Sequence, residues 1–115
     1  MEKSIRSFHE LEVYLESFKL QQLIFQISKT WPKNEVFSLT DQIRRSSRAI
    51  GANLAEAWAK RRYPAHFLNK LTDSDAELQE TRHWLHTAYQ CGYLSDHDHQ
   101  RLLLDADRIG RLLAR

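Results

Sequence analysis

The scarcity of residues that break secondary structure constrains this chain more than any other feature. Its 115 residues include only 3 glycines and 2 prolines. An all-β sandwich or barrel needs a turn roughly every ten residues, usually built from these two residue types, so the sequence argues against such folds. Long helices with few connections are favoured instead. A chain of this length buries roughly 65% of the surface that its unfolded form exposes. We therefore expect one domain with one core over residues 1–115.

Start and stop signals divide the chain into four predicted helices. Ser7, Ser38 and Ser95 stand where N-caps are expected, Pro64 suits a first helical turn, and Gly92 suits a helix end. The predicted helices span about residues 8–30, 39–61, 64–91 and 96–114. Short connections between long helices make neighbours antiparallel. The sequence predicts an all-α fold, an antiparallel up-and-down four-helix bundle.

The first predicted helix has apolar residues on two opposite faces. With about 100° between successive residues, one face carries Leu11, Leu15, Phe18 and Phe25. The opposite face carries Val13, Leu20, Leu23, Ile24 and Ile27. A helix that is apolar on two sides is buried on two sides. Either copies of the chain associate through the second face, or this helix lies at the centre of its own core.

Side chains that carry chemistry are few and scattered. The sequence has no glycine-rich phosphate loop, no HExxH or CxxC motif and no serine elbow. His83 and His86 are spaced to face one ion, and residues 96–99 alternate aspartate and histidine, but a metal site needs several converging ligands. We interpret these as surface residues and Cys91 as a packing residue. The prediction is a non-enzymatic protein with no cofactor and no metal.

The compartment is predicted from cysteine usage and hydropathy. One cysteine cannot form an internal disulfide, which suits a reducing compartment. The N-terminal segment lacks the apolar core of a signal peptide, and no apolar run approaches the ~18 residues of a membrane span. We expect a cytoplasmic protein without membrane contact.

Positive charge is concentrated in residues 39–62. The chain as a whole has a net charge of +2, whereas this segment has six basic and two acidic residues, a net charge of +4. The six are Arg44, Arg45, Arg48, Lys60, Arg61 and Arg62. In a continuous helix Arg44, Arg48 and Arg62 share one azimuth, a ridge that could follow phosphates. The neighbouring Trp58, Tyr63 and His66 could stack on bases.

The opposing interpretation is structural. These arginines could pair with acidic residues of the third helix, which suits the guanidinium fork. For one copy of the chain this alternative is favoured, but several copies on a ring would combine their charges into a strong field. Inward polar residues predict a small hydrogen-bond network between helices. Its predicted members are Asn53, Glu56 and Glu77, with Ser46, Ser47 and Ser74 nearby.

The segment 39–57, LTDQIRRSSRAIGANLAEA, resembles the signature of the 23S rRNA intervening-sequence proteins, roughly L-x-x-Q-[IL]-R-R-[AS]-[AS]-x-S-I-x-x-N-[IL]-A-E-G. Phe8-x-x-Leu11, Trp31-Pro32, Phe67-Leu68 and the segment 76–78 also fall where that family has such residues, so the likeness covers nearly the whole chain. Two positions depart from the pattern. Ala49 stands where the family usually has serine, and Ala57 where it usually has glycine.

The resemblance implies a cyclic homo-oligomer, typically a pentamer, of up-and-down bundles. It also implies kinship with the accessory variability protein of diversity-generating retroelements, which associates with a reverse transcriptase and nucleic acid. The leading hypothesis is an RNA or nucleoprotein accessory factor that binds phosphates through the six basic residues. The alternative is a protein-interaction scaffold that never contacts nucleic acid.

Overall fold

The chain is an all-helical bundle, seen in a computed structural model that describes residues 4–114. Its α-helices are α1 Glu12–Ser28, α2 Leu39–Ala59, α3 Pro64–Gln90 and α4 Asp96–Leu113. Two short 3-10 turns, Phe8–Glu10 and Lys33–Glu35, precede α1 and α2. No strand occurs among residues 4–114. The prediction of an all-α four-helix bundle is confirmed.

The observed helix ends show which of the predicted capping residues cap a helix. The Ser95 hydroxyl accepts a hydrogen bond from the Asp98 N–H (3.1 Å) and caps α4, and Gly92 has the left-handed φ of +79° that ends α3. Ser7 caps only the first 3-10 turn, because Leu11 is extended (ψ 129°). The predicted start of the first helix at residue 8 is therefore wrong, and α1 begins at Glu12. The Ser38 hydroxyl donates to the Glu35 carboxylate (2.6 Å) and makes no cap bond to α2.

One apolar cluster runs the length of the bundle. Buried leucines and isoleucines contribute to it from every helix. Its fully buried large members are Leu20, Ile24, Ile43, Ile50, Leu54, Leu78, Leu85, Leu102 and Ile109. Among residues 4–114 no helix is both long enough and apolar enough to cross a membrane.

Helices α2 and α3 are joined by polar contacts whose residue numbers rise along α2 and fall along α3. From one end to the other, Ser46 meets Thr81, Ile50 meets Ser74, and Glu56 meets Lys70. Residue numbers rise along one helix while they fall along the other, as in antiparallel neighbours. The order places the α2–α3 turn at one end of the bundle, away from Arg44 and Arg48.

Helix α1 is not enclosed on both of its apolar faces. Leu20 and Ile24 are buried in the core, but Leu15 and Phe18 on the opposite face are 54% and 45% exposed. The chain's own helices therefore leave part of the second face uncovered, and α1 is not the central core helix of the alternative interpretation.

Candidate nucleic-acid interface

The turn between α2 and α3 presents three consecutive cations. Helix α2 ends at Ala59, and Lys60, Arg61 and Arg62 follow it on the surface. The Arg61 guanidinium lies 4.2 Å from the Trp58 ring centroid and donates to the Trp58 carbonyl (2.9 Å). Among residues 4–114 no carboxylate lies within 4.0 Å of these three side chains. The turn is a compact positive surface, and Glu56 lies near enough that its pKa, lowered mainly by Lys70, is also lowered by Lys60.

Aromatic rings border this turn. Tyr63 is 65% exposed and packs edge-on against His66, with ring centroids 6.2 Å apart. Pro64 begins α3 directly after Tyr63, so the proline ring limits how far the tyrosine backbone can move. An exposed ring beside several cations offers a stacking surface next to phosphate contacts, a combination typical of single-strand binding.

A second group of cations surrounds Phe25, beside the N-terminal half of α2. The guanidinium carbons of Arg44 and Arg48 lie 4.9 Å and 5.7 Å from the Phe25 ring centroid, and the Lys29 ammonium lies 4.7 Å from it. Arg44 also donates to the Ser28 hydroxyl (2.9 Å), where the last carbonyls of α1 attract positive charge. Arg44 is therefore held against α1, whereas Arg48 and Lys29 are exposed.

Arg45 lies apart from both groups and among acidic residues. It pairs with Asp41 (3.8 Å) on its own helix and lines an open cavity of about 540 Å³ together with Glu77 and Glu80. Burial, with the nearby Glu80 and Asp73 carboxylates, raises the pKa of Glu77. Negative charge around Arg45 makes this side of α2 the least suited to an anion.

The six predicted contact residues thus occupy three places rather than one ridge. Arg62 lies beyond the end of α2. It therefore has no helical azimuth, and the predicted alignment with Arg44 and Arg48 does not occur. Lys60 lies twelve positions after Arg48, about 18 Å along a helix. Lys29 joins Arg44 and Arg48 from a different helix, and the sequence reasoning missed it because nothing local links residue 29 to residue 44.

The buried hydrogen bonds between α2 and α3 use smaller side chains than the predicted network members. The Ser74 hydroxyl donates to the Ile50 carbonyl (2.9 Å), and the hydroxyls of Ser46 and Thr81 are hydrogen-bonded at 2.9 Å. All three side chains are fully buried, with relative exposures of 0–1%. Thr81 was not predicted, although it follows Ser74 by seven residues and so shares its helical face.

The predicted network members lie at the edge of this seam. Asn53 donates to the Ala49 carbonyl (3.0 Å) of its own helix. Glu56 crosses to Lys70 (2.7 Å), whose hydrogen bond lowers the pKa of Glu56. Glu77 faces the cavity beside Arg45.

The histidines take part in aromatic contacts. His83 packs on Trp84 with centroids 4.6 Å apart, and His99 stacks on Tyr89 at 4.0 Å. Over residues 4–114 no three His, Cys, Asp or Glu side chains are placed to hold a metal ion. Cys91 was predicted to be a packing residue, which is wrong: it is exposed at the end of α3.

Comparison with known families decides the relationship of the chain. The family model described as 23S rRNA-intervening sequence protein matches residues 9–115. The chain belongs to this family. Among curated proteins no match was found.

A solved structure supports the placement among 23S rRNA-intervening sequence proteins. It is a protein of unknown function from the S23 ribosomal protein family of Bacteroides thetaiotaomicron. It is 29% identical to this chain, with a TM-score of 0.80, and the alignment covers 89% of this chain and 91% of the other.

The two departures from the signature of the 23S rRNA-intervening sequence proteins fit the fold. Ala57 is buried and helical, and α2 continues past it to Ala59. Ala49 is half-buried and lines the cavity beside Arg45. Neither substitution interrupts α2.

Proposed function

We propose that this chain is a non-enzymatic RNA accessory factor that contacts phosphates through the α2–α3 turn. The observation that carries the proposal is the cation triplet Lys60, Arg61 and Arg62, which has no carboxylate within 4.0 Å among residues 4–114. Three adjacent exposed cations concentrate positive charge at one end of α2, and a localised field of this kind attracts a polyanion. The exposed Tyr63 ring beside them supplies a stacking surface.

The triplet sets the expected salt dependence. Each phosphate contact to a single strand releases counterions, with a slope of about −0.7 in log affinity against log salt. Three contacts therefore lower the affinity about 20-fold between 50 and 200 mM salt. A protein with a net charge of only +2 would show little such dependence without a localised positive surface.

The test compares two triple variants in fluorescence anisotropy titrations with labelled single-stranded RNA and with an RNA hairpin. One variant is Lys60→Gln, Arg61→Gln and Arg62→Gln. The matched control is Lys19→Gln, Lys33→Gln and Arg101→Gln, which removes the same charge from exposed positions elsewhere. The turn variant should lose most of the affinity and most of the salt slope, and the control should keep both. Absent or salt-independent binding by the wild type, or equal losses in both variants, would refute the proposal.

We also propose that copies of the chain associate with one another, which would bring several of these cation triplets onto one assembly. It is supported by apolar side chains that the chain leaves uncovered, Leu15 at 54% and Leu104 at 65% exposure. The family resemblance implies a pentamer, and five copies would carry five triplets on one assembly. Native mass spectrometry should show an oligomer that weakens in a Leu15→Ser, Leu104→Ser variant. A wild-type monomer at micromolar concentration would contradict self-association.

A protein-interaction scaffold is the second candidate function, and Phe37 favours it. This side chain, between α1 and α2, is 94% exposed, and its neighbour Val36 is 44% exposed. Exposed aromatic residues of this kind often anchor protein interfaces. Affinity capture from a nuclease-treated lysate separates the two candidates: a scaffold keeps a partner that the Phe37→Ser variant loses, whereas an RNA factor loses its partners with the RNA.

A further inference from the structure

An open groove between α1 and α2 separates the two groups of cations. Its volume is about 300 Å³. Phe8, Tyr14 and Phe18 form one wall, and the small residues Ala52 and Ala55 form the other. Because α2 presents only small side chains here, the aromatic rings remain accessible, and Phe18 is 45% exposed.

The aromatic wall is ordered by contacts among its own rings. Tyr14 and Phe18 lie nearly parallel, 23° apart with centroids separated by 6.1 Å, and Phe8 meets Tyr14 edge-on at 4.9 Å. A Cβ at Gly51 would lie 3.4 Å from the Tyr14 ring, an ordinary van der Waals distance, so the ring packs directly against α2. The groove is therefore preformed.

The lining of the groove contains one cation and no carboxylate. Arg48 lines one end, next to Lys29 and Arg44, and the Lys60 to Arg62 triplet follows the other end of α2. Within residues 4–114 no carboxylate lies within 4.0 Å of Lys29, Arg44 or Arg48.

The acidic residues of the same helices are engaged on other faces. Glu12 and Glu16 of α1 bond to Arg108 of α4 at 2.9 Å and 3.4 Å. In α2, Glu56 bonds to Lys70 of α3 at 2.7 Å, and Asp41 pairs with Arg45 at 3.8 Å. Aromatic rings between two positive ends complement a polyanion whose phosphates alternate with flat apolar rings.

We propose that this groove binds the unpaired bases of single-stranded RNA, with phosphates held at its two ends. The inference rests on the proposed RNA function and assigns the base-binding site. Exposed bases stack on Phe18 and Tyr14, and the Gln21 amide, which also lines the groove, offers a donor and an acceptor to a base edge. Lys60 lies twelve positions after Arg48, about 18 Å along the helix, so one strand of a few nucleotides reaches both ends.

The experiment uses two labelled probes of equal charge: oligouridine of about 10 nucleotides, a length within the usual range of single-strand sites, and an abasic oligomer of the same length. The wild type should bind oligouridine more tightly than the abasic probe. Phe18→Ala should lower oligouridine affinity about 5- to 100-fold, as expected for one lost stacked base, and leave abasic binding unchanged. Ala52→Leu, which fills the groove without changing charge, should act in the same direction.

The matched control is Leu68→Ala, which removes an exposed apolar side chain of α3 that neither lines the groove nor belongs to the proposed self-association surface. It should preserve the preference for bases. Sedimentation of every variant reports whether the assembly state has changed.

The outcomes separate this inference from the proposed function. Equal wild-type affinity for the two probes, or a base preference that survives both groove variants, overturns the groove assignment while the turn triplet still accounts for binding. A groove variant could instead change the sedimentation coefficient and leave the base preference intact. That result would assign the groove to contacts between copies of the chain and would also overturn the proposed base-binding site. If neither probe binds at all, the proposed RNA function itself fails.

Discussion

The buried hydroxyl pair of Ser46 and Thr81 allows the seam between α2 and α3 to be tested quantitatively. Their oxygens lie 2.9 Å apart, and both side chains are at most 1% exposed, so water cannot replace a lost partner. Thr81→Val keeps the shape of the side chain and removes the hydroxyl. The remaining contact of the Ser46 hydroxyl is the Ile43 carbonyl at 3.3 Å, a long hydrogen bond.

These contacts set the size of the expected loss. A buried hydrogen bond contributes about 0.5–1.5 kcal/mol net, and leaving one partner poorly satisfied costs about 1–3 kcal/mol. Thr81→Val should therefore lower the free energy of unfolding by about 1–2 kcal/mol. Since 1 kcal/mol shifts the Tm of a domain near this size by roughly 4 °C, the Tm should fall by about 4–8 °C.

The assay is a double-mutant cycle in urea, combining Ser46→Ala with Thr81→Val. The pair should show a coupling energy of about 0.5–1.5 kcal/mol. Ser47→Ala is the matched control, because the Ser47 hydroxyl is equally buried but bonds to the Arg44 carbonyl (3.3 Å) of its own helix. Coupling below about 0.3 kcal/mol, or equal coupling of Thr81 to Ser47, would refute the reasoning.

Three further predictions concern a glycine and two carboxyl groups. Gly92→Ala should lower the free energy of unfolding by about 1 kcal/mol in thermal melts, because φ is +79° while no atom obstructs an added Cβ within 4 Å. The pKa of Glu77 is raised, so the folded protein holds the Glu77 proton more tightly than the unfolded chain does. Ionised Glu77 therefore lowers the stability of the protein as the pH rises above 4.5, the ordinary pKa of the group. Glu77→Gln should raise the Tm at pH 7 and have no such effect near pH 4. Hydrogen bonds from Ser38 and Tyr93 lower the pKa of Glu35, so its stabilising contribution is present above pH 4.5 and is lost as pH falls through the lowered pKa. In NMR titrations Tyr93→Phe should move the pKa of Glu35 upward, and an unchanged value would contradict that cause.

Much of the fold could be predicted from local signals. Ser95, Pro64 and Gly92 act within one helical turn, so their positions mark the bounds of α3 and α4 from sequence. Ser7 is also a typical N-cap residue, but the helix start predicted from it is wrong. The chain forms a 3-10 turn after Ser7 and an extended Leu11 before α1 begins. A capping motif fits a short turn as well as a long helix, and only the backbone conformation beyond the first turn distinguishes the two.

The candidate site was harder to predict because it depends on which helix lies beside each cation. Arg44 and Arg45 are adjacent in sequence, yet one packs on Phe25 of α1 and the other lines a cavity with Glu77 of α3. Successive residues of a helix point about 100° apart, so neighbours face different surroundings. The predicted alignment of Arg62 with Arg44 and Arg48 is wrong because α2 ends at Ala59, before Arg62.

The sequence by itself determined that the chain is helical and where most helices end, since these depend on neighbours within a few positions. Only the tertiary structure decided that Lys29 joins Arg44 and Arg48 around Phe25, and that an aromatic groove opens between α1 and α2. Lys29 and Arg44 are 15 positions apart along the chain. Their meeting depends on how packed side chains interlock across two helices, which no single stretch of sequence encodes.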